Sequence, residues 1–325
     1  MKDIPLVSFI LISYKHKKYI SDCMQSILDQ SYSNMEILYL DDASMDGTFE
    51  KASDYKERLL RKYERVKFIT NSQNSGLVKN LNKLVEMSHG KYVKFLAADD
   101  FMLNCGIEKL VDFMESHPEH DMVFSNGIVG DENTHYPLIN TDGYSSIYSS
   151  IPLSGKKLFD SLYQEDFISA PSVMIRRNVY EKVGLYDESI GIEDWDFFLR
   201  LAKEGSIGYL NAPTVMYRML FDSLSHSAIP HRRINMKKSE LQILEKHKDF
   251  AQNAQIRLER SLNEALSDAF HIDDKDYLSY LYLFAKRNTV QIMLKNRMKC
   301  ILYQLGIIRL LDKRFQIKEP ENEGA

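Results

Sequence analysis

Cysteine is scarce in this chain: Cys23, Cys105 and Cys300 are spread over 325 residues. Odd in number and without metal-type spacing, they exclude a disulfide-stapled scaffold and suit a reducing compartment. Long hydrophobic runs are missing too. No stretch approaches the roughly 20 apolar residues that a membrane-spanning helix needs. Residues 6–13 (LVSFILIS) are apolar but short, and they run into Lys15, His16, Lys17 and Lys18 with no small-residue cleavage site, unlike a signal peptide. Nor is there an excess of one charge. Against 46 Asp and Glu stand 42 Lys and Arg, a net charge of -4 that gives nucleic acid no electrostatic footprint. What remains, with 44% apolar and 27% charged residues, is an ordinary globular composition. A cytoplasmic location is expected.

The chain does have alternation. Residues 6–13 read as a strand buried on both faces. Residues 17–30 carry Ile20, Cys23, Met24, Ile27 and Leu28 at helical spacing. A second strand, 36–40, ends in Asp41 and Asp42; Asp46, Gly47 and Thr48 then turn into a charged helix over 49–63. Residues 66–70 predict a third strand. Residues 76–88 predict a helix closed by Gly90 as a left-handed cap, and 92–97 a fourth strand ending in Asp99 and Asp100. Beyond lie a helix over 107–116, a strand over 122–125, a polar loop over 126–150 and a strand over 172–175. A short helix over 178–183, a helix over 195–203 opened by Glu193 and Asp194, and a strand over 207–210 complete this part. The pattern predicts an α/β fold, a mostly parallel sheet flanked by helices. The expected division is one α/β domain over 1–228 (with halves of about 1–100 and about 101–228), a helical extension over 229–318 and a disordered acidic tail over 319–325.

In such sheets ligands sit beyond the carboxyl ends of the strands, and polar residues gather there: Ser13, then Asp41 and Asp42, then residues 71–76, then Asp99 and Asp100. Two adjacent carboxylates suit a hard cation that completes its shell with phosphate oxygens; a helix cap before residues 101–110 would explain them equally. A carboxylate at position 41 can accept the imide N–H of uracil or a ribose hydroxyl, although turns favour Asp anyway. Asn74, Ser75 and Gly76 precede a helix whose backbone donors, with Lys79, could face a phosphate, or they form an ordinary cap. Glu193, Asp194 and Asp196 surround Trp195, the only tryptophan. A carboxylate there can act as a general base and the indole as a platform for a sugar ring; a charged first helical turn with a core tryptophan is the alternative.

Together these residues resemble the family 2 glycosyltransferases, with their GT-A fold. The resemblance runs from about Pro5 to Ser225. It rests on Val7 to Tyr14, Leu40 to Thr48, Asn74 to Asn82, Ala97 to Asp100 and Glu193 to Arg200. It implies that Ser13 and Tyr14 line the nucleotide, that Asp41 pairs with the uracil and that Asp42 supports its loop. Asn74, Gly76 and Lys79 would lie near the donor. Asp99 would approach the ribose and diphosphate, and Asp100, with Asp99, would hold Mn²⁺ or Mg²⁺. Asp194 would be the catalytic base of an inverting displacement, ionised at neutral pH without any unusual environment, with Glu193 and Trp195 near the acceptor. The implied donor is a UDP-sugar and the implied acceptor a saccharide or lipid-linked saccharide. Two departures bear on metal binding: many relatives carry an Asp where this chain has Ala97, and a His where it has Leu220.

Other functions fit less well. A sugar nucleotidyltransferase would want a Gly-rich basic loop after the first strand, and a dehydrogenase would want G-x-G-x-x-G there; residues 13–16 supply neither. A sugar-nucleotide-binding protein without catalysis is a further alternative. Near the C-terminus Leu294, Met298, Ile301, Leu305, Ile308, Leu311 and Phe315 form an apolar stripe among basic residues. Peripheral contact of residues 286–318 with the inner face of the cell membrane is one expectation; packing onto the catalytic domain or a partner is the other.

Overall fold

The apolar run after Leu6 forms β1 (Val7–Ser13), buried along its whole length because it is flanked by strands on both sides. On one side β2 (Met35–Asp41) runs parallel, with Val7 opposite Met35 and Ser13 opposite Asp41. On the other, β4 (Tyr92–Ala97) is also parallel, with Ile12 opposite Ala97. β3 (Arg65–Thr70) pairs in parallel with β2 and forms that edge of the sheet. The structure, a computed structural model, describes residues 4–130, 154–218, 220, 230–272, 274–293 and 296–297. Two compact units are present, Met1–Ala228 and Ile229–Ala325.

The sheet has eight strands in the order β3-β2-β1-β4-β7-β6-β8-β5. Its second half uses β5 (Phe101–Met102), β6 (Met122–Gly130), β7 (Val173–Arg176) and β8 (Ile207–Arg218). β7 is antiparallel to both β4 and β6, β6 is parallel to β8, and β5 is antiparallel to β8. Only β5 and β7 run against the other strands, so the sheet is mixed but mostly parallel, as the alternation predicts. β6 and β8 extend beyond the expected 122–125 and 207–210. They keep pairing through register shifts around Ser125, Asn126 and Gly127, residues whose polar character reads as loop.

Helices cover the sheet as α1 (Ile20–Leu28), α2 (Thr48–Ser53), α3 (Lys56–Lys62), α4 (Leu77–Glu86), α5 (Gly106–Ser116), α6 (Gly155–Gln164), α7 (Val179–Val183) and α8 (Glu193–Glu204). Val7, Phe9 and Leu11 share one core with Cys23, Met24 and Ile27 of α1 and Leu110 and Met114 of α5. The single helix expected over 49–63 is two, broken at Asp54 and Tyr55. Gly90 is not a left-handed cap either. A Cβ there would lie 2.5 Å from Ser8 N and 2.8 Å from Leu6 O, so close backbone approach is what demands glycine. Glu36, buried below it, accepts hydrogen bonds from Ser8 Oγ (2.5 Å), His89 N (2.6 Å) and Gly90 N (3.2 Å), tying three segments together.

The unit Ile229–Ala325 contains α9 (Pro230–His247), α10 (Ala254–Ile272) and α11 (Lys275–Arg287), with α10 packed on both others. Asp274 caps α11 by accepting from Tyr277 N at 2.8 Å. Among the described residues no helix is long and apolar enough to cross a membrane. The stripe from Leu294 to Phe315, and with it most of the expected membrane segment, lies outside the described residues, as do 319–325 and most of the loop 126–150.

Candidate active site

The parallel register places Ser13 and Asp41 side by side at the carboxyl ends of β1 and β2. Tyr39 O–H donates to Ser13 Oγ (2.8 Å), which donates to Asp41 Oδ1 (2.8 Å), while Ser44 N–H donates to Asp41 Oδ2 (2.8 Å). Asp41 is thus held from both oxygens in one orientation. Ser13, expected to line the nucleotide, is fully buried and instead positions Asp41. Tyr14, next in the chain, is exposed.

Asp42 turns the other way. Its Oδ1 accepts from Asn71 Nδ2 (2.9 Å) and Ser75 N (2.8 Å), and its Oδ2 from Gly76 N (2.9 Å). Burial alone would disfavour its charge. The bonds from Asn71, Ser75, Asn80 and Gly76 outweigh that and lower its pKa. The donors ahead of α4 are therefore engaged by Asp42, and the expectation that Ser75 and Gly76 offer theirs to a phosphate is overturned. Gly76 is needed for its backbone, φ 86°. Asn74 and Lys79 remain exposed at this helix start.

β4 ends one step from β1, and Ala98 N–H donates to Ile12 O (3.0 Å), which brings Asp99 and Asp100 to the same edge as Asp41. They are not a helix cap. The chain continues into β5, and α5 begins only at Gly106. Asp100 is buried, and its Oδ1 accepts the Arg218 backbone N–H (2.8 Å) across a separation of 118 residues. Burial first, and the charge of Asp99 second, push its carboxyl well above the usual range, against the pull of Lys94 and Arg218. The Arg218 guanidinium donates to Asp99 O (3.2 Å) and Asp22 Oδ2 (2.6 Å) and lies against the rings of Tyr19 and Phe101. Arg218 also borders a cavity of 470 Å³ between α1 and β5. A larger cavity of 660 Å³ lies at the amino ends of β2 and β3, away from these carboxylates.

Whether this edge suits a divalent cation turns on its unpaired atoms. Asp99 Oδ1 is buried without a hydrogen-bond partner among the described residues. An anionic oxygen in that state calls for a cation or a donor. Among the described residues no group of three or more His, Cys, Asp and Glu forms a protein cage for a metal. A hard ion with one or two carboxylate ligands and substrate oxygens in the rest of its shell is what Asp99 and Asp100 fit.

At the start of α8, Asp194 Oδ1 accepts Trp195 N–H (2.8 Å). Asp194 is not in the ordinary environment expected of it: burial raises its pKa. Burial and the charge of Asp194 push Glu193 up to about 8. Trp195 is only 3% exposed, and its Nε1–H donates to Leu162 O (2.8 Å). The indole is core, so it cannot serve as a sugar platform.

Two charged residues escaped the sequence reading. Lys94 sits within apolar β4, fully buried, with Nζ donating to Phe95 O (2.9 Å) and Pro171 O (2.5 Å); burial lowers its pKa to about 7. Asp166 lies on the segment after α6. Protein crowded around its carboxyl, followed by the charges of Asp194 and Glu193, raises its pKa well above the usual range. Its only mark in the sequence was an acid between Glu165 and Phe167.

Residues 8–184 match the family model described as glycosyl transferase family 2. The chain is 31% identical over 222 residues to a Bacillus subtilis (strain 168) protein named for teichuronic acid biosynthesis, the glycosyltransferase TuaG, with 68% of this chain and 82% of that one covered. Its fold is similar to that of S. aureus TarS 1-349 in complex with UDP-GlcNAc, at a TM-score of 0.58 and 18% identity, covering 93% of this chain and 88% of that one. It is also similar to the mannosyltransferase PcManGT from Pyrobaculum calidifontis in complex with GDP-Man and Mn²⁺, at a TM-score of 0.58 and 16% identity, covering 98% and 89%. The fold is GT-A, with a helical C-terminal region. A mixed sheet with acidic residues at adjoining strand ends, the match over residues 8–184 and the 31% identity agree: the chain belongs to glycosyltransferase family 2.

Proposed function

We propose that the chain is an inverting transferase that moves a sugar from a UDP-sugar to a hydroxyl of a saccharide or lipid-linked saccharide, with Asp194 as base. The observation that carries this reading is the convergence of Asp41, Asp99 and Asp100 at the carboxyl ends of neighbouring parallel strands. Asp41, locked by Ser13 and Ser44, offers a fixed acceptor for the base of the nucleotide. Tyr14 lies exposed beside it. Asp99 and Asp100 would hold a divalent cation, which when bound offsets charge on the leaving diphosphate. The UDP-GlcNAc bound by TarS supports a uridine donor, and the Mn²⁺ of PcManGT supports a metal.

At the acceptor end burial and the charge of Asp194 push Glu193 up to about 8, which favours its protonated form at neutral pH. The raised pKa of Asp194 makes it a stronger base than an exposed aspartate. In the displacement the acceptor hydroxyl gives its proton to Asp194 while its oxygen bonds to the anomeric carbon. The bond from that carbon to the diphosphate breaks on the opposite face. A panel of UDP- and GDP-sugars, assayed for nucleoside diphosphate release with and without Mn²⁺, tests the reading; silence from every donor would sink it. Asp194→Asn should lower the rate by about 10²–10⁴-fold, and undiminished release would remove Asp194 from the role of base. The basic, amphipathic character of residues 294–315 supports peripheral contact with an anionic membrane, which co-sedimentation with anionic against neutral vesicles checks.

A further inference from the structure

Asp99 Oδ1 is not alone at the end of β4. His16 Nδ1, on the loop between β1 and α1, is likewise buried without a hydrogen-bond partner among the described residues, and the two atoms are 3.9 Å apart. That is too far for a hydrogen bond, so each is left desolvated beside the other. The carboxylate oxygen offers only lone pairs, and a neutral imidazole offers one at whichever nitrogen lacks the proton. A single divalent cation between them would satisfy both. Ligands about 2.1 Å from such an ion stand about 3.0 Å apart when adjacent in an octahedron and about 4.2 Å apart when opposite. The observed gap falls between these values, so a small side-chain movement seats both.

The loop is built to keep His16 there. Its carbonyl accepts from Tyr19 N (2.9 Å) and Ile20 N (2.9 Å) at the start of α1, and Lys15 N–H donates to Ser44 Oγ (2.8 Å). On the loop's side all of these bonds are made by backbone atoms, so the ring itself is not needed to hold the loop.

We propose that His16 and Asp99 together ligate the divalent cation, His16 through Nδ1. The inference rests on the metal-assisted reading above and adds a nitrogen ligand to it. The test is pulsed electron paramagnetic resonance of the full chain with Mn²⁺ and UDP, alongside titration of Mn²⁺ affinity. The wild type should show coupling of the Mn²⁺ electron spin to a ¹⁴N nucleus of imidazole. His16→Asn and His16→Ala should abolish that coupling and weaken Mn²⁺ binding at least about tenfold, a loss that even an outer partner of a ligand produces. Circular dichroism and Tm should stay at wild-type values. Tight Mn²⁺ binding without ¹⁴N coupling would overturn the inference and leave the metal-assisted transferase intact, with His16 reduced to a loose ion-pair partner of Asp99. Weaker UDP binding by His16→Ala without metal, at unchanged Mn²⁺ affinity, would also overturn it by placing the imidazole on the diphosphate. Failure of the wild type to bind Mn²⁺ with either UDP or GDP would overturn both the inference and the metal part of the reading.

Discussion

Adjacent carboxylates in the unit Met1–Ala228 do different work, and the donors each one meets decide which. Asp41 is held by Ser13 and Ser44 with a fixed aspect towards the strand ends, whereas Asp42, one residue on, is spent on the loop before α4. Asp42→Ala would leave Ser75 N, Gly76 N and the Asn71 amide without their anionic acceptor. Bonds to charged acceptors contribute about 1.5–3 kcal/mol each; with partial rescue by water, a loss of about 2–4 kcal/mol in urea unfolding is expected. A loss within experimental error would show that these bonds are dispensable. Glu193 gives a pH dependence. Its pKa is about 8 in the folded chain against an ordinary value of 4.5, so between these values the folded state keeps a proton that the unfolded state has released. Stability from this group therefore falls as pH rises from about 4.5 to about 8. Glu193→Gln should remove that fall and be more stable than wild type at pH 8 than at pH 5, by about 1–3 kcal/mol in relative terms. Equal differences at the two pH values, measured by denaturant unfolding, would contradict it. That acidic pairs lie at strand ends was legible from strand-then-acid patterning alone. Which member of a pair faces a ligand was not, because it depends on donors such as Ser75 and Arg218, 33 and 118 residues away. Trp195 misled for the same reason: its partner is the Leu162 carbonyl, invisible to local spacing.

Elements were legible where one period dominates. β1, β2 and β4 are largely apolar runs between turns, and they were predicted within a residue or two because strands buried on both faces carry few polar positions to confuse the pattern. β6 and β8 were read short because their second halves pair through irregular register, with Asn126, Gly127, Asn211 and Pro213 in strand positions. Gly90 was placed correctly as a required glycine but for the wrong reason, since helix ends and close crossings leave the same mark in sequence. The distinction has a consequence. At a left-handed cap Ala would cost mainly backbone strain, whereas here its Cβ would meet Ser8 N at 2.5 Å, Ser8 Oγ at 2.7 Å and Leu6 O at 2.8 Å. Backbone atoms in a central strand cannot swing away, so Gly90→Ala should push β1 from the β4 entry and cost about 1–3 kcal/mol. It should also loosen the Glu36 bonds to Ser8 and Gly90. Gly155→Ala, at φ 68° with nothing within 4 Å of the added Cβ, should cost only about 1 kcal/mol of backbone strain. Equal costs in thermal unfolding would show that the crossing is not tight.

At the scale of the whole molecule, every candidate group from Ser13 to Arg218 lies within the unit Met1–Ala228, gathered from segments far apart in sequence. The unit Ile229–Ala325 is built differently, from α9, α10 and α11 packed against their chain neighbours and held by pairs such as Arg257 with Glu240 (3.1 Å). Its change of composition after Pro230 was legible. Its inward faces were less so, because polar residues such as Ser261 and His247 are buried among Leu241, Leu244 and Leu262. This division predicts where binding energy appears. A nucleotide and metal that bind only the native catalytic unit stabilise it by RT ln(1 + [L]/Kd), about 2.7 kcal/mol when the free ligand is 100 times Kd. Segments that open locally should feel that gain wherever opening breaks the site. Hydrogen exchange of the full chain with UDP and Mn²⁺ should therefore slow in peptides covering Ser13 to Ile20, Asp41 to Ser44 and Ala98 to Met102. Peptides from α9, α10 and α11 should exchange at unchanged rates. Asp41→Asn should weaken the nucleotide-dependent protection while leaving exchange without ligand unaltered, because the new amide oxygen can accept from Ser44 N–H while its NH2 donates to Ser13 Oγ, whose own hydrogen can turn to Tyr39. Protection appearing first in α10 would place the nucleotide outside the catalytic unit, and the strand-end carboxylates would then need another explanation.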